Sequence, residues 1–257
     1  MIPIHSKADF EPMRNAGKLA ARVLDMIQDF IKPDITTNEL NQICNDYIIK
    51  NNAIPAPLNY HGFPKSICTS INEVVCHGIP DDRKLLDGDL LNIDVTVILN
   101  GWYGDTNRTY FVGEKWKKND EKLNKGKQLT KVTYDAMMKS IEIVKPGIKI
   151  CQIGKIIQDY VEKYGFSVVR DFCGHGIGKK FHQEPQISHF YNPFDTTILK
   201  EGMFFTIEPM INLGTWEVEV SRIDKWTVTT KDKQLSAQFE HTIGVTENGA
   251  EIFTLTR

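Results

Sequence analysis

The chain reads as an α+β protein, a single domain of two pseudo-symmetric halves in which helices come first and antiparallel strands follow. Two runs 114 positions apart (94 to 208), Leu86–Asp94 and Lys200–Glu208, read alike, and each carries an apolar, strand-like stretch into an acid. Upstream, Ile31–Lys50 aligns without gaps with Val144–Lys163 at a shift of 113 (31 to 144), with identities at Lys32/Lys145, Pro33/Pro146, Ile35/Ile148, Ile43/Ile156, Asp46/Asp159, Tyr47/Tyr160 and Lys50/Lys163. Helix-period segments precede β-rich ones in both copies. That order favours helices on one face of an antiparallel sheet over a doubly wound sheet. Two copies are too few for a solenoid, so the halves, about 10–112 and 128–257, are expected to share one domain.

The elements follow in order. Met13, Ala16, Ala20, Val23, Ile27 and Phe30 keep a helical stripe that stops near Pro33, and Thr36-Thr37-Asn38-Glu39 resembles a capping box opening the next helix. Asn100-Gly101 is the preferred two-residue hairpin turn. It sets Leu99 opposite Trp102, Thr96 opposite Asp105 and Asp94 opposite Asn107. Asp94 and Asp105 then lie on one face as diagonal neighbours, ~7 Å apart at Cβ. On its own such a hairpin could as well carry two solvated aspartates. The lysine-rich run Lys115–Lys127, with Glu114, Asp120 and Glu121 interspersed, reads as a solvated connector. The helical pattern resumes with Leu129, Val132, Ala136, Met137 and Val144 before Pro146.

Bulk properties exclude several classes. The 257 residues are 25% charged and 41% hydrophobic with a net charge of −2, so nothing marks a nucleic-acid or membrane partner. No stretch of eighteen apolar residues occurs, and Met1–Asp9 has no apolar signal core. Five cysteines without a Cys-x-x-Cys pair fit reduced thiols rather than a disulfide framework or zinc finger. A cytoplasmic location is expected.

An acid inside an apolar run is costly to bury unless a cation neutralises it, and two acids at corresponding points suggest a shared metal. Cys173-Gly174-His175-Gly176-Ile177-Gly178 sets a histidine among glycines that would let the backbone approach whatever His175 binds. Phe204–Glu208 is closed by Pro209, and Gln238–Val245 alternates so that Glu240, Thr242 and Gly244 share a face. Asp94, Asp105, His175, Glu208 and Glu240 make an oxygen-rich set with one nitrogen. Divided between two ions, five ligands leave positions for water and substrate.

At these residues the chain resembles the type I methionine aminopeptidases. The matching stretches are Tyr60–Cys68, Asn72–Pro80, Asn92–Val95, Gly101–Thr106, Gly174–Gly178, Phe205–Pro209 and Ser236–Thr242, in the family's order over nearly the whole length. The resemblance implies the pita-bread fold, a curved antiparallel sheet covered by helices, and removal of N-terminal methionine from peptides and nascent chains with a small second residue. It implies two divalent ions (Mn, Fe, Co or Zn), with Asp105 and Glu240 bridging, Asp94 completing one site, and His175 and Glu208 the other. His77 and His182 are cast as contacts to the substrate amide and the tetrahedral intermediate, and Glu208 as the group passing a proton from the attacking water to the leaving amine.

Tyr60, Phe63, Cys68, Phe181 and Trp226 match positions lining the methionine pocket, where aromatic walls suit a polarizable thioether. Pro57 stands where many bacterial members have cysteine, and Phe63 where many have tyrosine, which leaves tolerance for neighbouring residues open. The 31 residues between Glu208 and Glu240 (209 to 239) are too few for the helical insert of type II enzymes, and no zinc-binding extension precedes the first repeat. The minimal form implies a monomer acting near the ribosome exit, with transient ribosome association. Prolidase-like peptidases and ligand-stripped binding modules share the fold and stay open as alternatives.

Overall fold

A computed structural model describes residues 1–256. Among the described residues four α-helices carry the outer layer: α1 (Lys7–Ile27), α2 (Thr37–Lys50), α3 (Glu121–Glu142) and α4 (Cys151–Val161). The expected capping box is present, since Thr36 Oγ1 accepts from the Glu39 amide (3.1 Å) and the Glu39 carboxylate accepts from the Thr36 amide (2.8 Å). The first stripe ends earlier than Pro33, because α1 gives way at Ile27 to a 3-10 turn over Gln28–Phe30. The connector is shorter than the lysine run suggests. Asp120 accepts from the Leu123 amide and caps α3, so helix already begins at Glu121.

Among the described residues the strands form four small antiparallel sheets. In the first half, Leu90–Leu99 pairs with Trp102–Phe111, Cys68–Ile71 and Ile54–Pro55. In the second, Phe204–Ile207 lies between His241–Val245 and Gly174–Gly176, flanked by Ala250–Ile252 and Gln183–Ile187. Two three-stranded sheets stand beside them, one built on Met210–Asn212 and the other on Val228–Thr230. The hairpin register is the predicted one, with Leu99 opposite Trp102, Thr96 opposite Asp105 and Asp94 opposite Asn107. Asn100 and Gly101 take φ of 51° and 81°, as a type I′ turn requires.

Each half owns a core. α1 and α2 bury Leu19, Val23, Leu24, Ile27, Leu40, Cys44 and Ile48 against Leu91, Ile93, Val95 and Val97. α3 and α4 bury Leu129, Val132, Met137, Ile153 and Ile157 against Phe205, Ile207, Ile243 and Val245. With helices on the apolar faces, the polar faces of the two halves are left to meet each other.

They meet through neutral hydrogen bonds. Thr106 Oγ1 donates to the Glu240 carbonyl and Thr242 Oγ1 to the Asp105 carbonyl, both at 2.7 Å. Asn92 Nδ2 and Thr109 Oγ1 both donate to the Gln238 carbonyl (2.9 and 2.7 Å). All these groups are buried, so each bond satisfies a polar atom that would otherwise be stranded. Among the described residues no helix is long and apolar enough to cross a membrane.

Candidate active site

The seam between the halves opens into a cavity of about 620 Å³. All twelve residues singled out from the sequence line it: Asp94, Asp105, His175, Glu208, Glu240, His77, His182, Tyr60, Phe63, Cys68, Phe181 and Trp226. Asp94 and Asp105 come from the two strands of the Asn-Gly hairpin. His241 pairs with Ile207, so the next residues outward, Glu240 and Glu208, emerge side by side. His175 arrives from the neighbouring strand, on which Gly176 pairs with Phe205.

The glycines around His175 serve a purpose other than the expected one. A Cβ at Gly174 would overlap the Thr206 carbonyl, and one at Gly176 the Glu184 carbonyl. They admit adjacent strands rather than a ligand, and His175 is positioned as a result.

One ligating atom each from Asp105, His175 and Glu240 lie within 4.8 Å of one another. His175 Nε2 is 3.5 Å from Asp105 Oδ2 and 3.7 Å from Glu208 Oε1. Its Nδ1 lies 3.1 Å from the Gly176 carbonyl, so an Nδ1–H there leaves the Nε2 lone pair toward the acids. Asp94 stands on the same cavity wall, close enough that its charge acts on Glu240.

The sequence reading missed the neutral donors that hold these acids. Thr96 Oγ1 donates to Asp105 Oδ1 (2.7 Å), Asn107 Nδ2 to Glu240 Oε2 (3.0 Å) and Thr206 Oγ1 to Glu208 Oε1 (2.7 Å). Gln238 Nε2 reaches Glu208 Oε2 at 3.3 Å, and the Glu208 amide donates to His189 Nε2 at 3.1 Å.

This donor set fits divalent cations. Asp94 Oδ1 and Glu240 Oε1 are buried without any hydrogen-bond partner, although a carboxylate oxygen is a strong acceptor. Burial, and then the neighbouring acids, push the Asp94 and Glu240 carboxyls well above the usual carboxylate range. Burial also lifts Glu208, to about 7, with Asp105 adding to the rise and His175 opposing it. For His175 burial pulls downward, but the Asp105 hydrogen bond and the charges of Glu208 and Asp105 carry its pKa above the ordinary imidazole value. Bare oxygens and carboxyls that resist ionisation mark a place where positive charge belongs.

His182 packs its ring 4.2 Å from that of His175, and its Nδ1 is 2.8 Å from the Tyr60 hydroxyl. His77 sits in the left-handed region at φ 56°, its ring near Phe172 and Trp226. Burial lowers both histidines to about 4, so they are neutral hydrogen-bonding groups at physiological pH. At the apolar end Phe63 meets Trp226 edge to face at 5.2 Å, and Phe181 lies 4.8 Å from Tyr60. Cys68 is buried, which raises its thiol pKa and makes it an inert wall.

Residues 11–247 match the sequence profile of metallopeptidase family M24. The chain belongs to that family. Within it, the chain is 60% identical over 255 residues to a methionine aminopeptidase of Rickettsia prowazekii, covering 99% of this chain and 96% of the relative. It is 53% identical over 258 residues to the methionine aminopeptidase of Escherichia coli, covering 100% and 95%. A crystal structure of the Rickettsia prowazekii protein superposes with a TM-score of 0.95 at 61% identity, covering 99% of this chain and 100% of that one. A prolidase structure from Pyrococcus horikoshii shares the fold at TM-score 0.75 and 23% identity, with 64% of its length covered. The α+β pita-bread expectation holds, as does membership among the methionine aminopeptidases.

Proposed function

We infer that this chain hydrolyses the first peptide bond of peptides and nascent chains that begin with methionine and carry a small second residue. The whole chain acts as one catalytic unit. The observation that carries the reading is the convergence of Asp105, His175 and Glu240 on one point, with Glu208 and Asp94 beside them, in a cavity also lined by aromatic side chains.

Asp94, Asp105, His175, Glu208 and Glu240 would hold two divalent ions drawn from Mn, Fe, Co or Zn, with Asp105 and Glu240 shared between them. Such ions supply a water acidic enough to attack near neutral pH, and polarise the scissile carbonyl. The chain's own residues do the rest. Phe63, Phe181, Trp226 and Cys68 enclose the methionine side chain in apolar surface and keep water from it. His182, neutral and bonded to Tyr60 at Nδ1, offers Nε2–H to the oxygen that becomes negative as water adds to the carbonyl carbon. His77 contacts the substrate amide.

Glu208 takes the proton that the attacking water loses and returns it to the amine nitrogen as the C–N bond breaks. Because the free amino terminus is held beside the acids, only one residue is released.

The direct test is incubation of Met-Ala-Ser with protein reconstituted in turn with several divalent metals, followed by mass spectrometry. Loss of the methionine mass is expected. Intact, folded protein that leaves the peptide whole with every metal would reject the reading. A transient association with ribosomes and a monomeric state belong to the same proposal.

A further inference from the structure

The segment that precedes α1 is part of the active-site architecture. The His5 amide donates to the Gly202 carbonyl at 2.7 Å, tying the segment to the turn just before Phe204–Ile207. The His5 ring stacks on Phe204 with centroids 4.2 Å apart and planes within 8°, and stands 5.4 Å from the Trp102 ring. Its outer edge faces Gly178. A Cβ built there would lie 2.9 Å from His5 Cε1 and Nε2, so the imidazole occupies the space a side chain at 178 would need.

Gly178 is the root of the loop that delivers Phe181 and His182. The loop is fixed at its start where the Gly178 carbonyl accepts from the Tyr103 amide (2.9 Å) and the Ile177 amide donates to the Phe204 carbonyl (3.2 Å). From there Phe181 stacks on Tyr103 (5.6 Å, 23°) and on His182 (4.1 Å, 20°). His5 thus backs a continuous stack, Phe204 to His5 to Gly178, whose far end is the wall of the methionine pocket.

The character of the contact is unusual for histidine. His5 Nε2 is buried and has no hydrogen-bond partner, so the edge that faces Gly178 is held by shape and stacking.

We propose that His5 is a positioning residue for this peptidase, a flat wedge that sets the height of the Gly178 loop and through it the placement of Phe181 and His182. This rests on the function proposed above. It makes an uncommon prediction, that an apolar ring should replace the histidine without loss.

The experiment compares His5→Ala, His5→Leu and His5→Phe with the parent on Met-Ala-Ser and Met-Gly-Ser, separating kcat from KM, alongside thermal unfolding of the metal-loaded proteins. His5→Ala is expected to raise KM at least fivefold, because the pocket wall is no longer backed. His5→Phe should stay within twofold of the parent in both constants and unfold at a higher temperature, since a stranded nitrogen has been replaced by carbon. His5→Leu, which fills the volume without a flat ring, should fall between them and gives the same reading if the alanine variant does not fold.

A folded His5→Ala or His5→Leu with parental KM would overturn the proposal. So would a His5→Phe as impaired as His5→Ala, which would mean the nitrogen matters and the wedge does not. A parent protein that fails to cleave either peptide would reject the proposed function and not this assignment. The two failures are therefore told apart in one experiment.

Discussion

Replacing Glu208 by glutamine removes one charge from a buried group of acids while nearly keeping its shape. In the folded protein without cations the Glu208 carboxyl titrates at about 7, against 4.5 for a free glutamic acid. At 1.36 kcal/mol per pH unit, ionising it inside the fold costs about 3 kcal/mol more than ionising it in the unfolded chain. The folded form keeps this proton to higher pH than the unfolded form does. Stability from Glu208 is therefore full below pH 4.5 and is lost as the pH rises through 7. His175, whose pKa is raised by the same acids, loses its stabilising contribution as pH rises above the ordinary imidazole value; it is coupled to Glu208, so the pair titrates together in the same direction.

Urea unfolding of metal-stripped protein at pH 5 and pH 8 measures the total. The parent should lose stability between those values, and Glu208→Gln should lose about 2 kcal/mol less, equivalent to ~4–8 °C in Tm for a chain of this size. Any fixed cost of turning the amide toward Gln238 appears equally at both pH values and cancels. Divalent cation should flatten the parent's curve, because the ionised form is then the one held. Parallel pH–stability curves for parent and variant would refute the view that Glu208 is charged at a cost.

Three further outcomes are expected. Asp105→Ala or Glu240→Ala should abolish release of methionine from Met-Ala-Ser, since each removes a ligand that the proposed function assigns to both ions; near-normal turnover would reject that assignment. Thr96→Val removes the hydroxyl that holds Asp105 Oδ1, and metal titration should show a loss of affinity on the order of 10- to 100-fold without unfolding. Gly101 has φ +81° and open space where a Cβ would go, so Gly101→Ala tests backbone strain alone; it should cost ~1–2 kcal/mol, a fall of ~2–8 °C in Tm, with activity unchanged at 25 °C.

The hairpin is legible in the sequence because Asn100-Gly101 leaves one register for ten residues on either side, and that register alone places Asp94 and Asp105 on one face. Glu208 was legible through the internal repeat, as the counterpart of Asp94. Thr96 could have been found the same way, since the predicted pairing already set it opposite Asp105, and Asn107 likewise stood opposite Asp94. Gln238 stands two residues before Glu240, yet nothing local says that it turns toward Glu208. His189 carries no signal at all, because its bond to the Glu208 amide depends on how distant strands stack. The glycines flanking His175 were noticed for the wrong reason, since strand crowding and ligand access leave the same trace in a sequence. His5 carries no signal in the sequence, its role arising only from what Gly178 lacks.

No single half of the molecule contains the chemistry. One contributes two aspartates, the other two glutamates and a histidine, and beside those acids the two are joined by a row of hydroxyls and amides that carry no charge themselves. A change that loosens Thr106 or Thr242 shifts acids on both sides at once, so catalytic competence is inherited through the joint, and each half is evolutionarily hostage to the fit of its twin.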